Sequence, residues 1–359
     1  MPEKELIQTV RKGEELHAGN LKKFLLQNNL IDTVKSELII RQFYNGYSNL
    51  TYLLKIEEKE YVLRRPPFAA PKRGHNMGRE FNVLYKLHNV FDKTPVTYAY
   101  SEDVEILGAP FYIMNKVEGI ILTAREAKER KVSPNDFNKI ADTWLDAFVE
   151  LHEADYKAAG LESLGNPEGY VERQVKNWGK QYLAAATEEV ISAQKVMSWM
   201  ENNKPRNYDY SLIHNDYKYD NVVFVNDQWE KIVAVLDWEM CTLGDPLMDL
   251  GTSLGYWTTS SDADFLKHGL PSPTTMAGNP SRTEIVHRYA LKSGRNINNL
   301  TFYFAYGLFK IAVIAQQIYY RFKHGYTKDP RFEGLNKVSA LCCNTAWNAI
   351  QKDRIDELY

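Results

Sequence analysis

Cysteine is scarce. The 359-residue chain has three, Cys241, Cys342 and Cys343. An odd number with an adjacent pair makes a poor disulfide framework, and the spacing matches no zinc motif. A disulfide-stapled secreted fold is therefore excluded, and a reducing cytoplasm is expected. Charge of one sign is also lacking: 44 Lys and Arg stand against 46 Asp and Glu, a net charge of −2. No electrostatic case exists for nucleic acid or an anionic membrane as partner. An uninterrupted apolar run of membrane length is missing too. Residues 302–320 come nearest, but they contain Gly307, Lys310, Gln316 and Gln317. Such groups are costly in hydrocarbon, so a buried core helix is expected instead. The opening Met1-Pro2-Glu3-Lys4-Glu5 is charged and has no signal-peptide core. No internal repeat or low-complexity stretch stands out.

What is present reads as globular. Hydrophobic residues make up 44% and charged residues 25%, enough for a large core. A chain of this length predicts two lobes. Residues 37–44, 50–56 and 61–65 pattern as strands, the first two flanking the turn-forming Asn45-Gly46-Tyr47-Ser48-Asn49. A helix is expected over 77–91, where Phe81, Leu84, Leu87 and Phe91 recur at helical spacing. Strands near 96–100 and 111–117 follow, and Glu118-Gly119 reads as a hinge. Beyond it the chain turns helical, with elements expected from Ser133 onward and over 170–186, 188–202, 283–291, 302–324 and 335–354. One β-hairpin, 221–225 with 232–236 around Asn226-Asp227-Gln228, is the only interruption expected.

The chemistry concentrates in Leu212-Ile213-His214-Asn215-Asp216-Tyr217-Lys218-Tyr219-Asp220-Asn221, followed by Leu236-Asp237-Trp238-Glu239. The pattern H-x-D-x4-N with a second acid is a parts list for phosphoryl transfer. Aspartate is ionised at neutral pH, so Asp216 is the candidate base that accepts and aims an acceptor hydroxyl. A turn-capping aspartate is the plainer reading of Asp216 alone. Asn221 and Asp237 are the candidate magnesium ligands, because magnesium favours oxygen donors and few protein ligands. The hairpin would bring them to neighbouring strand ends. Lys218 offers a charge for the transferred phosphoryl group, or simply faces solvent. His214 reads as a structural brace.

In Tyr61-Val62-Leu63-Arg64, alternation puts Val62 and Arg64 on one strand face. Val62 would touch a base and Arg64 the phosphates, with Arg65 as rival should the strand phase slip. Glu80 falls on the inward stripe of its helix, and a buried acid needs a partner, for which Arg64 is the candidate. Gly46 and Ser48 lie in a turn able to present N–H groups and a hydroxyl to phosphates. Asp245, before Pro246, reads as a helix start, and Asp249 as a brace for the catalytic turn.

These residues, with Gly244-Asp245-Pro246-x2-Asp249-Leu250, resemble the aminoglycoside phosphotransferase and choline kinase family. Tyr61-Val62-Leu63-Arg64-Arg65-Pro66-Pro67 and Arg173-Gln174-Val175-x2-Trp178 are similar to the phosphotransferase domains linked to acyl-CoA dehydrogenases. The resemblance implies an α+β, protein-kinase-like two-lobed fold: a small N-terminal antiparallel β-sheet lobe with one helix, and a larger, mainly helical C-terminal lobe. Residues 1–36 would form an N-terminal helical extension, 37–118 the nucleotide-binding N-lobe and 119–359 the catalytic and substrate-binding C-lobe. It implies ATP and Mg2+ as cofactors, Asp216 as base, Asn221 and Asp237 as metal ligands, and Ser48 in the phosphate loop. Met114, Asn115 and Val117 would form the adenine hinge. One departure is Arg64, where the family carries a lysine.

The expectation is a small-molecule kinase acting on a hydroxyl, with a hydroxyacyl-CoA or hydroxy acid derivative as acceptor. An aminoglycoside acceptor and a catalytically silent nucleotide-binding module remain as alternatives. A protein kinase is disfavoured, because Gly244-Asp245-Pro246 begins seven residues after Asp237 and leaves no room for an activation segment. Nothing in the sequence reads out an oligomeric state, so a homodimer stays open.

Overall fold

Alternating apolar residues at the N-terminal end build an antiparallel sheet of six strands in the order β1-β2-β3-β4-β6-β5. The strands are Ile7–Gln8 (β1), Leu38–Phe43 (β2), Leu50–Ile56 (β3), Lys59–Arg65 (β4), Thr97–Ser101 (β5) and Phe111–Asn115 (β6). The structure is a computed structural model and describes residues 7–43, 49–67 and 76–359. It divides into two units. The first takes the chain up to Gly119 together with Ala158–Leu161 and Val233–Glu239, and the second takes the remainder.

One face of the sheet presents Leu50, Tyr52, Leu54, Ile56, Tyr61, Leu63, Phe111 and Ile113. These bury against Leu21, Phe24 and Leu25 of helix α1 (Ala18–Gln27). The opposite face carries Leu53, Val62, Arg64, Tyr112 and Met114, paired in register as Leu53 with Val62, Val62 with Met114, and Arg64 with Tyr112. Residues 7–36 thus hold a strand as well as the expected helix, since β1 pairs along β2 and covers an otherwise open sheet edge. Helix α2 (Met77–Leu87) starts where the Asn76 side chain accepts from the Arg79 N–H, and it packs on β5 and β6. It stops four residues before the expected end. Val90 and Phe91 both donate to the Leu87 carbonyl, which turns the chain so that Phe91 meets Trp238 edge-on at 6.1 Å.

The second unit is mainly helical. Its principal helices are Pro134–Glu153 (α3), Tyr170–Ala185 (α4), Ile191–Asn202 (α5), Pro246–Tyr256 (α6), Arg282–Ser293 (α7), Leu300–Lys323 (α8) and Leu335–Lys352 (α9). Capping boxes start two of them, Ser133 with Asp136 at α3 and Ser281 with Glu284 at α7. Helices α6 and α8 cross with their backbones in near contact. A Cβ on Gly251 would strike the Tyr303 carbonyl, and one on Gly307 would strike the Gly251 carbonyl. Glycine at these two positions brings the acids of α6 and Lys310 of α8 under the same loop.

Short strands Ser211–Ile213 (β7), Val222–Phe224 (β8), Ile232–Val235 (β9) and Thr242–Gly244 (β10) complete the chain. The turn after β8 closes through the Val225 N–H and the Lys231 carbonyl. The expectation of a single hairpin in this region is corrected, because β7 and β10 also pair, antiparallel. Among the described residues no helix is long and apolar enough to cross a membrane.

Candidate active site

Strand β7 delivers the chain into a loop, 214–218, that is fastened from below. Asp249, fully buried on the first turn of α6, accepts from the backbone N–H groups of His214 (2.6 Å) and Asn215 (2.7 Å). His152 Nε2–H donates to the same carboxylate at 3.3 Å, while the Tyr289 hydroxyl donates to His152 Nδ1 at 2.7 Å. Burial depresses the His152 pKa, which suits that neutral tautomer. Burial works to raise the Asp249 pKa, yet His152, His214 and Lys310 together hold it below the ordinary carboxylate range.

A second fastening comes from α8. Lys310 is buried in a mainly apolar helix, and its Nζ donates to the Asn215 carbonyl (2.7 Å) and Oδ1 (3.0 Å). Asn215 in turn donates to the Met240 carbonyl at 3.1 Å and holds φ at +69°, a left-handed conformation that asparagine tolerates. The Asp216 N–H donates to His214 Nδ1 at 3.2 Å, so His214 has a bracing contact. Tyr217 is buried, stacked on Phe148 at 4.3 Å, with its hydroxyl on the Trp144 carbonyl. Asp216 and Lys218, on either side of it, therefore share the other side of the loop. Asp216 Oδ2 accepts from Asn221 Nδ2 at 2.8 Å and pairs with Lys218 Nζ at 3.3 Å. Lys218 also lies 4.8 Å from the centre of the Tyr256 ring.

The first unit assembles a separate ionic group on the face of its sheet opposite α1, where Glu80 of α2 meets Arg64. Arg64 pairs with buried Glu80 at 3.0 Å and with Asp237 Oδ1 at 2.9 Å. Burial opposes the charge on Arg64, but Glu80, Tyr112 and Asp237 outweigh it and push its pKa up. Glu80 is held above the usual carboxylate range by burial, with Arg64 pulling it back. Arg64 Nε is buried without a hydrogen-bond partner, whereas the Glu80 carboxylate is met by Arg64 at 3.0 Å and by the Tyr112 hydroxyl. Asp237 has φ at +69° and a side chain 37% exposed. The rival Arg65 is on the other face, buried, donating to the carbonyls of Pro66 and Leu107. Val62 and Met114 lie opposite each other beside Arg64, and Asn115 is tied to Val96 by bonds of 2.9 Å and 2.7 Å. Val117 lies two residues past the end of β6, outside any helix or strand. Gly46 and Ser48 lie outside the described residues.

Asn221 commits its amide nitrogen to the Asp216 carbonyl and Oδ2, both at 2.8 Å. No three His, Cys, Asp or Glu side chains gather as a metal cage among the described residues.

Sequence reasoning missed the partner of Lys310 and gave Tyr256 no role. A signal existed for the first, since a lysine inside an apolar helical run must find an acceptor.

Asp245 caps α6, accepting from the Leu247 N–H and the Tyr303 hydroxyl, both at 2.8 Å. Burial nevertheless pushes its pKa up to about 7. Between about pH 4, where the unfolded carboxyl ionises, and pH 7 the folded protein keeps a proton that the unfolded chain releases. The contribution of this group to stability therefore falls as pH rises through that window and stays low above it. Asp245→Asn keeps the cap, with the Tyr303 hydroxyl turning to accept from the new amide. Its thermal midpoint is expected to exceed that of the parent by more at pH 8 than at pH 5. Melting curves showing a larger deficit at pH 8 would contradict this account.

The sequence profile of the phosphotransferase enzyme family matches residues 39–272. Acyl-CoA dehydrogenase family member 10 of Mus musculus is 31% identical over 348 residues, which cover 96% of this chain and 32% of that protein. The chain thus spans about a third of the length of that relative. A structure described as an aminoglycoside phosphotransferase from Ralstonia eutropha superposes with a TM-score of 0.77 at 28% identity, covering 94% of this chain and 99% of the other. Choline kinase from Cryptosporidium parvum superposes with a TM-score of 0.62 at 12% identity, over 94% and 97%. The fold is kinase-like, with an antiparallel N-terminal sheet and a mainly helical remainder.

Proposed function

The chain belongs to the phosphotransferase enzyme family, and from that premise we propose that it moves the γ-phosphate of ATP, with magnesium, onto a hydroxyl of a small molecule. The observation that carries this reading is the braced Asp216 loop. A carboxylate fixed by Asn221 and Lys218, over a buried acid and a buried lysine, is preorganised to receive an alcohol. The acceptor oxygen forms a bond to the γ-phosphorus as the bond to the β-phosphate oxygen breaks, and its proton passes to Asp216. Positioning dominates such a reaction because its transition state is loose. Lys218 offsets charge on the phosphoryl group in flight. Arg64, oriented by Glu80, anchors the nucleotide phosphates, with Gly46 and Ser48 as further phosphate contacts. Val62, Met114, Asn115 and Val117 receive the base. Asn221 and Asp237 supply the oxygen donors for magnesium, which neutralises phosphate charge when bound.

For the acceptor we propose a hydroxyacyl-CoA or related hydroxy acid, following the acyl-CoA dehydrogenase name of the relative. An aminoglycoside acceptor is the second reading, favoured by the description of the Ralstonia structure. A reducing cytoplasm suits the three buried cysteines, Cys241, Cys342 and Cys343. The test is ATP-dependent transfer to a panel holding hydroxy acids, hydroxyacyl thioesters and kanamycin. Transfer should vanish with EDTA and return with magnesium. Turnover that survives chelation would remove the metal from this reading, and phosphorylation of kanamycin alone would favour the second acceptor class.

A further inference from the structure

Beside the Asp216 loop the second unit holds a cavity of about 320 Å³, bordered by Tyr170, Arg173, Trp178, Asn215, Thr242 and Lys310 among others. Two of these residues are cations. Among the described residues, no carboxylate lies within salt-bridge distance of either. Arg173, on the first turn of α4, donates only to the main-chain carbonyls of Glu168 and Asn166. Lys310 uses two of its three N–H groups on Asn215, and its ammonium also lies 5.9 Å from the centre of the Trp178 ring.

A buried cation with no carboxylate in direct contact is costly. Burial lowers the Lys310 pKa to about 8, against the longer-range pull of Asp249 and Asp216. An anion entering the cavity would give both cations a direct ionic partner and take up the remaining donors. Arginine's planar fork suits a carboxylate or phosphate oxygen pair in particular. Known cavities for whole ligands run from about 300 to 1,000 Å³, so this one holds a charged head and a short chain.

We propose that this cavity is the acceptor's anion subsite, in which Arg173 and Lys310 bind a negatively charged group of the hydroxyl compound. The inference rests on the reading of this protein as a kinase for small-molecule hydroxyls. Asn215 borders the cavity and the next residue is Asp216, whose carboxylate acts on the charge of Lys310, so an acceptor anchored at Arg173 and Lys310 lies near the carboxylate that receives the hydroxyl. Binding of this kind selects against polycationic acceptors, because a second positive charge beside Arg173 and Lys310 is repelled. The anion has two sources: the free carboxylate of a hydroxy acid, or the phosphates of a thioester carrier.

Calorimetric titration of the full chain with 4-hydroxybutyrate, its methyl ester and its coenzyme A thioester decides the matter without turnover. The acid is expected to bind at least about tenfold more tightly than the neutral ester. Arg173→Gln should abolish that preference, and Arg173→Lys should keep most of it. If only the thioester binds and Arg173→Gln weakens it, the carrier phosphates are the anion. Equal affinities for acid and ester with no gain for the thioester, equal losses for all three ligands in Arg173→Gln, or no saturable binding of either anion would overturn the proposal. The kinase reading is judged apart from this. ATP-dependent transfer to a neutral alcohol, lost in Asp216→Ala, leaves that reading standing even if the cavity ignores charge. Charge-selective binding without any transfer keeps the subsite and removes the kinase.

Discussion

Asp216→Ala is expected to lower kcat for phosphoryl transfer by about a thousandfold, in the middle of the range for losing a positioned acid or base. The KM for ATP should change far less than kcat, because Asp216 touches Asn221 and Lys218, proposed for the metal and the phosphoryl group in flight, but neither the residues proposed for the base nor the phosphate anchor Arg64. Stability should change little. The loop is held by bonds to the backbone of His214 and Asn215, made by Asp249 and Lys310, and none of these uses the Asp216 carboxylate. Asp216→Asn should fare no better than alanine, since an amide keeps the shape but takes no proton from the alcohol. The measurement is initial rate against ATP and acceptor, with a melting curve for each variant. Equal rates in parent and Asp216→Ala would identify a silent nucleotide-binding module, and the departure at Arg64 would then become the natural explanation.

Local pattern carried much of this in the sequence, and distance along the chain set the limit. Alternation in Tyr61-Val62-Leu63-Arg64 is enough to separate the two faces of β4, because the side-chain period of a strand is two. Ser133 and Ser281 announce their helices because a capping box lies within four residues. By contrast, β7 and β10 are three-residue strands about thirty residues apart, too short for any periodicity to register. The two-residue β1 is equally silent, since its only reason to be a strand is the edge of β2. The same divide runs through the candidate site. Glu80 announces a buried partner by falling on an apolar stripe, whereas the bond from Arg64 to Asp237 spans 173 positions and leaves no trace in either segment. Lys310 shows most clearly where pattern runs out. Its place in an apolar run argues against a membrane, but that the run delivers an ammonium to the Asn215 carbonyl depends on how Gly251 and Gly307 let two helices approach.

Removing Arg64 is expected to have the largest effect on stability of any change in the first unit. Arg64→Leu leaves Glu80 buried beside no cation, and breaking a buried pair from one side costs about 3–5 kcal/mol. Most of that cost is the stranded carboxylate rather than the lost attraction. The double variant Arg64→Leu/Glu80→Leu should therefore recover the greater part of it, since an apolar pair of similar bulk is often neutral in such a position. Asp237 matters less to this sum, being more than a third exposed to water. Nucleotide binding separates the structural from the functional role. Both leucine variants should lose ATP affinity, the double variant despite its regained stability, because neither offers a charge to the phosphates. Arg64→Lys should keep nucleotide binding, as lysine holds phosphate as a point charge where arginine uses a fork. Urea unfolding midpoints and ATP titrations on the four proteins make the comparison. If the double variant binds ATP as the parent does, Arg64 is a packing residue and the phosphates are held elsewhere. If it is stable and binds nothing, the buried pair exists to aim a cation at the nucleotide, and its desolvation is tolerated because Glu80 fixes where that cation points.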